Sequence, residues 1–207
     1  MLINNLGSLK AELGRYMFQQ RFQPDYDTAI ANFEAVANRR LRVRPMEAIA
    51  IITTVAGGAA ALPLDYLLWR TLLWPGRTPY VELDYVHPAY LTTSAYAREG
   101  GDPQIFSIEG AGITIYPARE DTYHLHYYQK IPSVNGNDNN FNWLIAAHPD
   151  LYLHGCLHEL FVLGRNGEAA VAHKQLRDEK MAELIQLSAL TTGATSSKVR
   201  SETAEYF

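Results

Sequence analysis

The chain of 207 residues is 47% hydrophobic, carries a formal net charge of −4 and contains one cysteine. A chain of this size buries roughly 70% of its unfolded surface, so it needs no disulfide or metal staple, and Cys156 has no internal partner in any case. Negative net charge argues against a protein whose main work is gripping phosphates, no apolar run approaches the ~20 residues of a membrane span, and Met1 to Gln20 lacks the apolar core of a secretory signal. The expectation is a soluble chain made in a reducing cytoplasm.

Leu6, Leu9, Leu13, Tyr16 and Met17 recur at three- and four-residue steps and predict a first helix. Pro24 to Asp27 breaks it. Ile30, Phe33, Ala37 and Leu41 then rebuild an apolar stripe, capped at Asp27 or Thr28, giving an antiparallel helical pair. Arg39, Arg40, Arg42 and Arg44 gather at the far end, where the helix dipole favours positive charge; this is a solvated helix end or a contact for an acidic partner or DNA.

From Glu47 the period changes. The β-branched run Ile49 to Val55 predicts a strand ending at Gly57-Gly58, and the segments around Pro63 to Trp74 and Pro79 to Leu83 read as further strands. His87-Pro88 starts a short helix that runs to about Arg98. Gln104 to Ile108, Gly112 to Tyr116 and Thr122 to Gln129 follow as a β-meander, with Tyr123, Leu125 and Tyr127 on the buried face of the last strand.

Ser133 to Asn140 is a polar loop by composition. After a short helix around Trp143, His148-Pro149-Asp150 opens a helix apolar on most sides, with Pro149 at its first position and Gly155 and Cys156 kept small. Gly164 to Gly167 predicts a glycine cap. A last helix, Glu168 to Leu190, carries an apolar stripe of Ala169, Ala172, Leu176, Leu184, Ile185 and Leu187, with Lys174, Arg177, Asp178, Glu179, Lys180 and Glu183 on a solvated side. Beyond Gly193 the chain is small and polar, too poor in apolar surface to order alone, and ends on Tyr206 and Phe207.

The predicted class is therefore α+β: an antiparallel helical bundle from residues 1–45 and 133–192, an antiparallel β-meander or sandwich inserted at 46–132, and a flexible, extended C-terminal arm at 193–207. The candidate interface residues are Arg39, Arg40, Arg42, Lys198, Arg200, Tyr206 and Phe207, the two aromatics as anchors on a neighbour.

His154 and His158 are the candidate metal ligands, since i, i+4 histidines share a helix face as in zinc hydrolases, with His124, His126 and His148 as further donors. The order is wrong for that chemistry, because Glu159 follows the second histidine rather than the first. Structural roles are expected instead, with His154 in place of an aromatic and His158 hydrogen-bonded at the core edge. No phosphate loop, nucleophile elbow or paired-cysteine motif is present, so neither a cofactor nor catalysis is expected.

Tyr127-Tyr128, Lys130-Ile131-Pro132, Asn142-Trp143-Leu144 and His148-Pro149-Asp150-Leu151-Tyr152-Leu153-His154-Gly155, preceded by Leu62-Pro63-Leu64-Asp65-Tyr66-Leu67, resemble in order and spacing the head-to-tail adaptor (connector) proteins of tailed bacteriophages, especially short-tailed ones. The resemblance covers roughly residues 10 to 190. It implies a structural virion protein assembled in the host cytoplasm, a ring of copies, twelve by the portal's symmetry, between the portal protein and the tail nozzle or tail-tube proteins. It also implies a C-terminal arm reaching to a neighbour. Genomic DNA would pass through the ring without sequence-specific binding, and mild acidity suits such a channel. The other readings are a metal-dependent hydrolase using His154 and His158 and a nucleic-acid-binding module using Arg39 to Arg44.

Overall fold

The computed structural model describes residues 3–18, 25–91 and 101–202, with side chains through Tyr90 in the second segment and Thr191 in the third. Its helices are α1 (Leu6–Met17), α2 (Tyr26–Arg40), α3 (Pro88–Leu91), α4 (Trp143–Ala147), α5 (Pro149–Leu163) and α6 (Gly167–Glu202). Its strands are β1 (Glu47–Thr53), β2 (Ala59–Ala61), β3 (Tyr66–Trp74), β4 (Val81–Tyr85), β5 (Ile105–Glu109), β6 (Gly112–Tyr116) and β7 (Thr122–Gln129). The chain divides into two compact units, Met1–Pro45 with Ile131–Phe207, and Met46–Lys130.

In the helical unit α5 is the hub. Leu151, Tyr152, Cys156, Leu157, Leu160 and Phe161 are buried along it, and α2, α6, α1 and α4 all pack on it. Its small residues are there for a reason. A Cβ on Gly155 would collide with the ring of Phe33 on α2, so only glycine lets the two helices approach this closely. Helices α1 and α2, expected as a pair, each pack on α5 and meet through the 2.8 Å ion pair Lys10–Asp27.

Several helix details correct the expectations. Asp25, two or three residues before the expected Asp27 or Thr28, caps α2 by accepting from the Thr28 amide at 3.0 Å. Tyr16 is exposed on α1, whose buried face is Leu6, Leu9, Leu13 and Met17. At the end of α5 Arg165 (φ 55°) takes the left-handed conformation expected of a glycine, and the Asn166 amide closes the turn on Phe161 O at 2.9 Å. The buried face of α6 is Ala170, Arg177, Met181 and Leu184, while Leu176, Ile185 and Leu187 are exposed. Only Leu184 of the expected apolar stripe is buried, because the face that α5 covers is selected by its side chains and not by the count of leucines on α6. The backbone of α6 continues to Glu202, past the expected start of the extended arm at 193. Thr203 to Phe207 lie outside the described residues, as does the expected continuation of α3 towards Arg98.

The polar loop 133–140 also has a structural task. The amides of Leu6 and Gly7, orphans at the start of α1, donate to Asn140 O and Asp138 O at 2.9 and 2.8 Å, alongside the Asn5–Ser8 capping box.

The second unit is one seven-stranded, nearly closed sheet in the order β1-β7-β3-β4-β5-β6-β2. It is neither a meander nor a sandwich. β3, β4, β5 and β6 follow one another both in sequence and in the sheet, but β4 and β5 run parallel, and β7 lies between β1 and β3 rather than beside β6. Period-two alternation fixes which face of a strand is buried but says nothing about its partner. The expected inward face of β7 is observed, with Tyr123, Leu125 and Tyr127 buried in a core that includes Leu72, Trp74, Phe106, Ile113 and Ile115.

Candidate functional site

The ionisable groups of the helical unit gather along the seam of α5 and α6. His154 Nδ1 faces His173 Nδ1 at 3.1 Å. The ring centroids are 5.2 Å apart, so the two nitrogens meet nearly head-on and share one proton, one ring donating and the other accepting. Phe161 stacks on His173 at 5.3 Å and 3°, and Tyr16 meets it edge-on at 6.1 Å. Desolvation lowers the pKa of both rings. For His154 Lys180 adds to this while Asp150 opposes it; for His173 the other two histidines add to it. His158 Nδ1 lies 2.9 Å from Ala170 O.

Next along the seam is an ion network. Arg177, only 4% exposed, donates to Asp178 at 2.9 Å and lies 3.8 Å from Glu159, while Arg40 reaches Asp178 from α2 at 2.5 Å. Burial works against the Asp178 charge, but the hydrogen bonds from Arg177 and Arg40 outweigh it and hold the carboxyl below its ordinary range. Cys156 is fully buried, and desolvation followed by the charges of Glu34 and Glu159 pushes its thiol well up, away from reactivity.

The structure brings His154 and His158 to α6 rather than to each other's Nδ1. Their neighbour His173 was not singled out from the sequence, although its spacing to Ala170, Arg177 and Met181 puts it on the buried stripe. Arg177, expected on the solvated side, is buried for the same reason. His124 and His126 lie on the outward face of β7 and His148 caps α5 without a side-chain bond. Among the described residues no group of three or more His, Cys, Asp and Glu side chains could hold a metal ion, and no helix is long and apolar enough to cross a membrane.

Of the basic cluster, Arg40 is spent on Asp178, and Arg42 donates to Asn38 O and Leu41 O at the end of α2. Arg39 and Arg44 are exposed, and Arg44 lines a groove of about 350 Å³ with Pro45, His148, Leu184, Leu187 and Ser188. Lys198 and Arg200 lie on the backbone of α6 beyond its described side chains, and Tyr206 and Phe207 lie outside the described residues.

His154 and His158 of α5 and His173 and Arg177 of α6 are thus engaged in contacts between the two helices. The family model described as SU10 adaptor protein matches residues 4–201, and the chain belongs to that family. It is a family of phage adaptor proteins, structural components of the virion. Among curated proteins none matches the chain. Neither the family nor this geometry favours the hydrolase or the nucleic-acid-binding reading.

Proposed function

We propose that the chain is a head-to-tail adaptor that bridges the portal and the tail of a phage particle. Copies form a closed ring beneath the portal, twelve if they follow its symmetry, and tail nozzle or tail-tube proteins dock on the opposite side. The observation that carries this is the family match over nearly the whole chain, from residue 4 to 201. Heterologous contacts that close by rotation need two different complementary surfaces on each subunit. The exposed Arg44, which lines an apolar groove, and the exposed Arg39 are proposed for one surface, and Lys198, Arg200, Tyr206 and Phe207 for the contact made by the C-terminal segment.

The ring extends the DNA channel. A net charge of −4 suits a wall that must let a genome leave, since a strongly basic wall would retain phosphates by counterion release. Depletion of the chain during infection tests this reading. The expected product is filled heads without tails, and normal tailed particles lacking the chain would refute it.

A further inference from the structure

His154 Nδ1 on α5 and His173 Nδ1 on α6 lie 3.1 Å apart with one hydrogen between them. In the neutral pair one ring carries its proton on Nδ1 and donates, while the other carries its proton on Nε2 and accepts. The two protons that acid adds are therefore not equivalent. The first goes to the bare Nε2 of the donor ring, leaves the bond in place and makes it charge-assisted. The second has only the accepting Nδ1 left to it. Two N–H groups on two imidazolium rings then face one another with no acceptor between them, and the pair titrates in two coupled steps.

His158 behaves differently. Its Nδ1 lies 2.9 Å from Ala170 O, and a carbonyl only accepts, so that nitrogen keeps its proton in both charge states. An added proton goes to Nε2, 3.9 Å from Glu159 Oε1, and costs the seam no bond. Around the pair, among the described residues, stand Tyr16 from α1, Asp150, His158 and Glu159 on α5, and Arg177 and Lys180 on α6. Burial works against charge on both rings. Asp150 favours it on His154, but Lys180 opposes it there and lies 3.8 Å from the same carboxylate, and His158 opposes it on His173.

Little else holds α6 in place. It packs chiefly on α5, and the side chains it buries are Ala170, Arg177, Met181 and Leu184, so only two of them are large and apolar. By contrast α2 buries Ile30 and Phe33, and the sheet encloses Leu72, Trp74, Phe106, Tyr123 and Leu125. Local opening starts where apolar burial is thinnest.

We propose that the His154–His173 pair is an acid-triggered latch, whose second protonation undocks α6 from α5 while α2 and the β-rich unit stay folded. The device is local. It makes α6 an element released separately from the rest of the chain.

The test is hydrogen exchange of the full-length chain from pH 7.5 to 5, corrected for the intrinsic pH dependence of exchange. Protection of peptides within 167–190 is expected to fall about tenfold or more as the pH drops, while that of 26–40 and 122–129 holds. His158→Gln should show the same fall as the parent. His173→Gln, which cannot form the second imidazolium, should keep at pH 5 whatever protection it has at pH 7.5. Because that variant can loosen the seam by itself, spectra of the parent with 15N-labelled histidine supply a second readout. A scalar coupling between the two Nδ1 nuclei across the hydrogen bond is expected at pH 7.5, and it should vanish over the range in which protection of 167–190 is lost. Protection of 167–190 that ignores pH, a fall shared equally by 122–129, an undiminished fall in His173→Gln, or no coupling at pH 7.5 would overturn the proposal.

Discussion

The Tyr152 hydroxyl on α5 donates a 2.5 Å hydrogen bond to Glu34 Oε1 on α2, inside the helical core. The same oxygen accepts from the Val134 amide at 2.9 Å, so one buried carboxylate ties two helices to the start of the polar loop. Burial, then the neighbouring Glu34 charge, pushes the Tyr152 hydroxyl far above its ordinary range, and it remains a donor at any physiological pH.

Tyr152→Phe removes that donor and leaves a buried carboxylate short of a partner. The expected cost is about 1–3 kcal/mol, read as a lower urea midpoint with an unchanged slope. A variant as stable as the parent would show that the contact is dispensable.

At Gly155 the added methyl of Ala meets the ring of Phe33. Gly155→Ala should lose about 1–3 kcal/mol by overpacking, although alanine is the better helix former. Phe33→Ala combined with it should cost less than the sum of the two single changes, because the ring atoms that the methyl meets are gone. Simple additivity of the two changes would refute the contact.

The His154–His173 pair makes stability depend on pH. Both folded-state pKa values lie below the unfolded value of about 6.5, so the unfolded chain binds protons more tightly. The contribution of the neutral pair is complete above about pH 6.5 and is lost as pH falls from there through the depressed folded values. Melting temperatures measured from pH 7.5 to 5 should fall across this window, and less steeply for His173→Gln. Parallel profiles for the two proteins would contradict the assignment.

Arg177 and Arg40 share Asp178 but not its environment. Arg40 is exposed, and Arg40→Ala should cost no more than about 1 kcal/mol. Arg177 is buried against α5, so Arg177→Ala removes both packing and the central charge and should cost more than Arg40→Ala in the same thermal assay.

Much of the fold was legible because it is local. The Leu6-Leu9-Leu13 spacing, Pro149 at a helix start and the alternation of β7 all act within a few residues, and each element appeared where they placed it. Partners were not legible. Nothing within 122–129 says that β7 lies between β1 and β3, and α6 offers leucines on more than one side, so its buried face is decided by α5. The same limit hid His173, whose importance comes from a ring on another helix 3.1 Å away.

Sedimentation velocity of the full-length chain, alone and mixed with the portal ring from the same genome, tests the adaptor reading most directly. The account predicts a slowly sedimenting species alone that joins the portal boundary in a fixed multiple per ring. A chain that stays small at every portal concentration would contradict it.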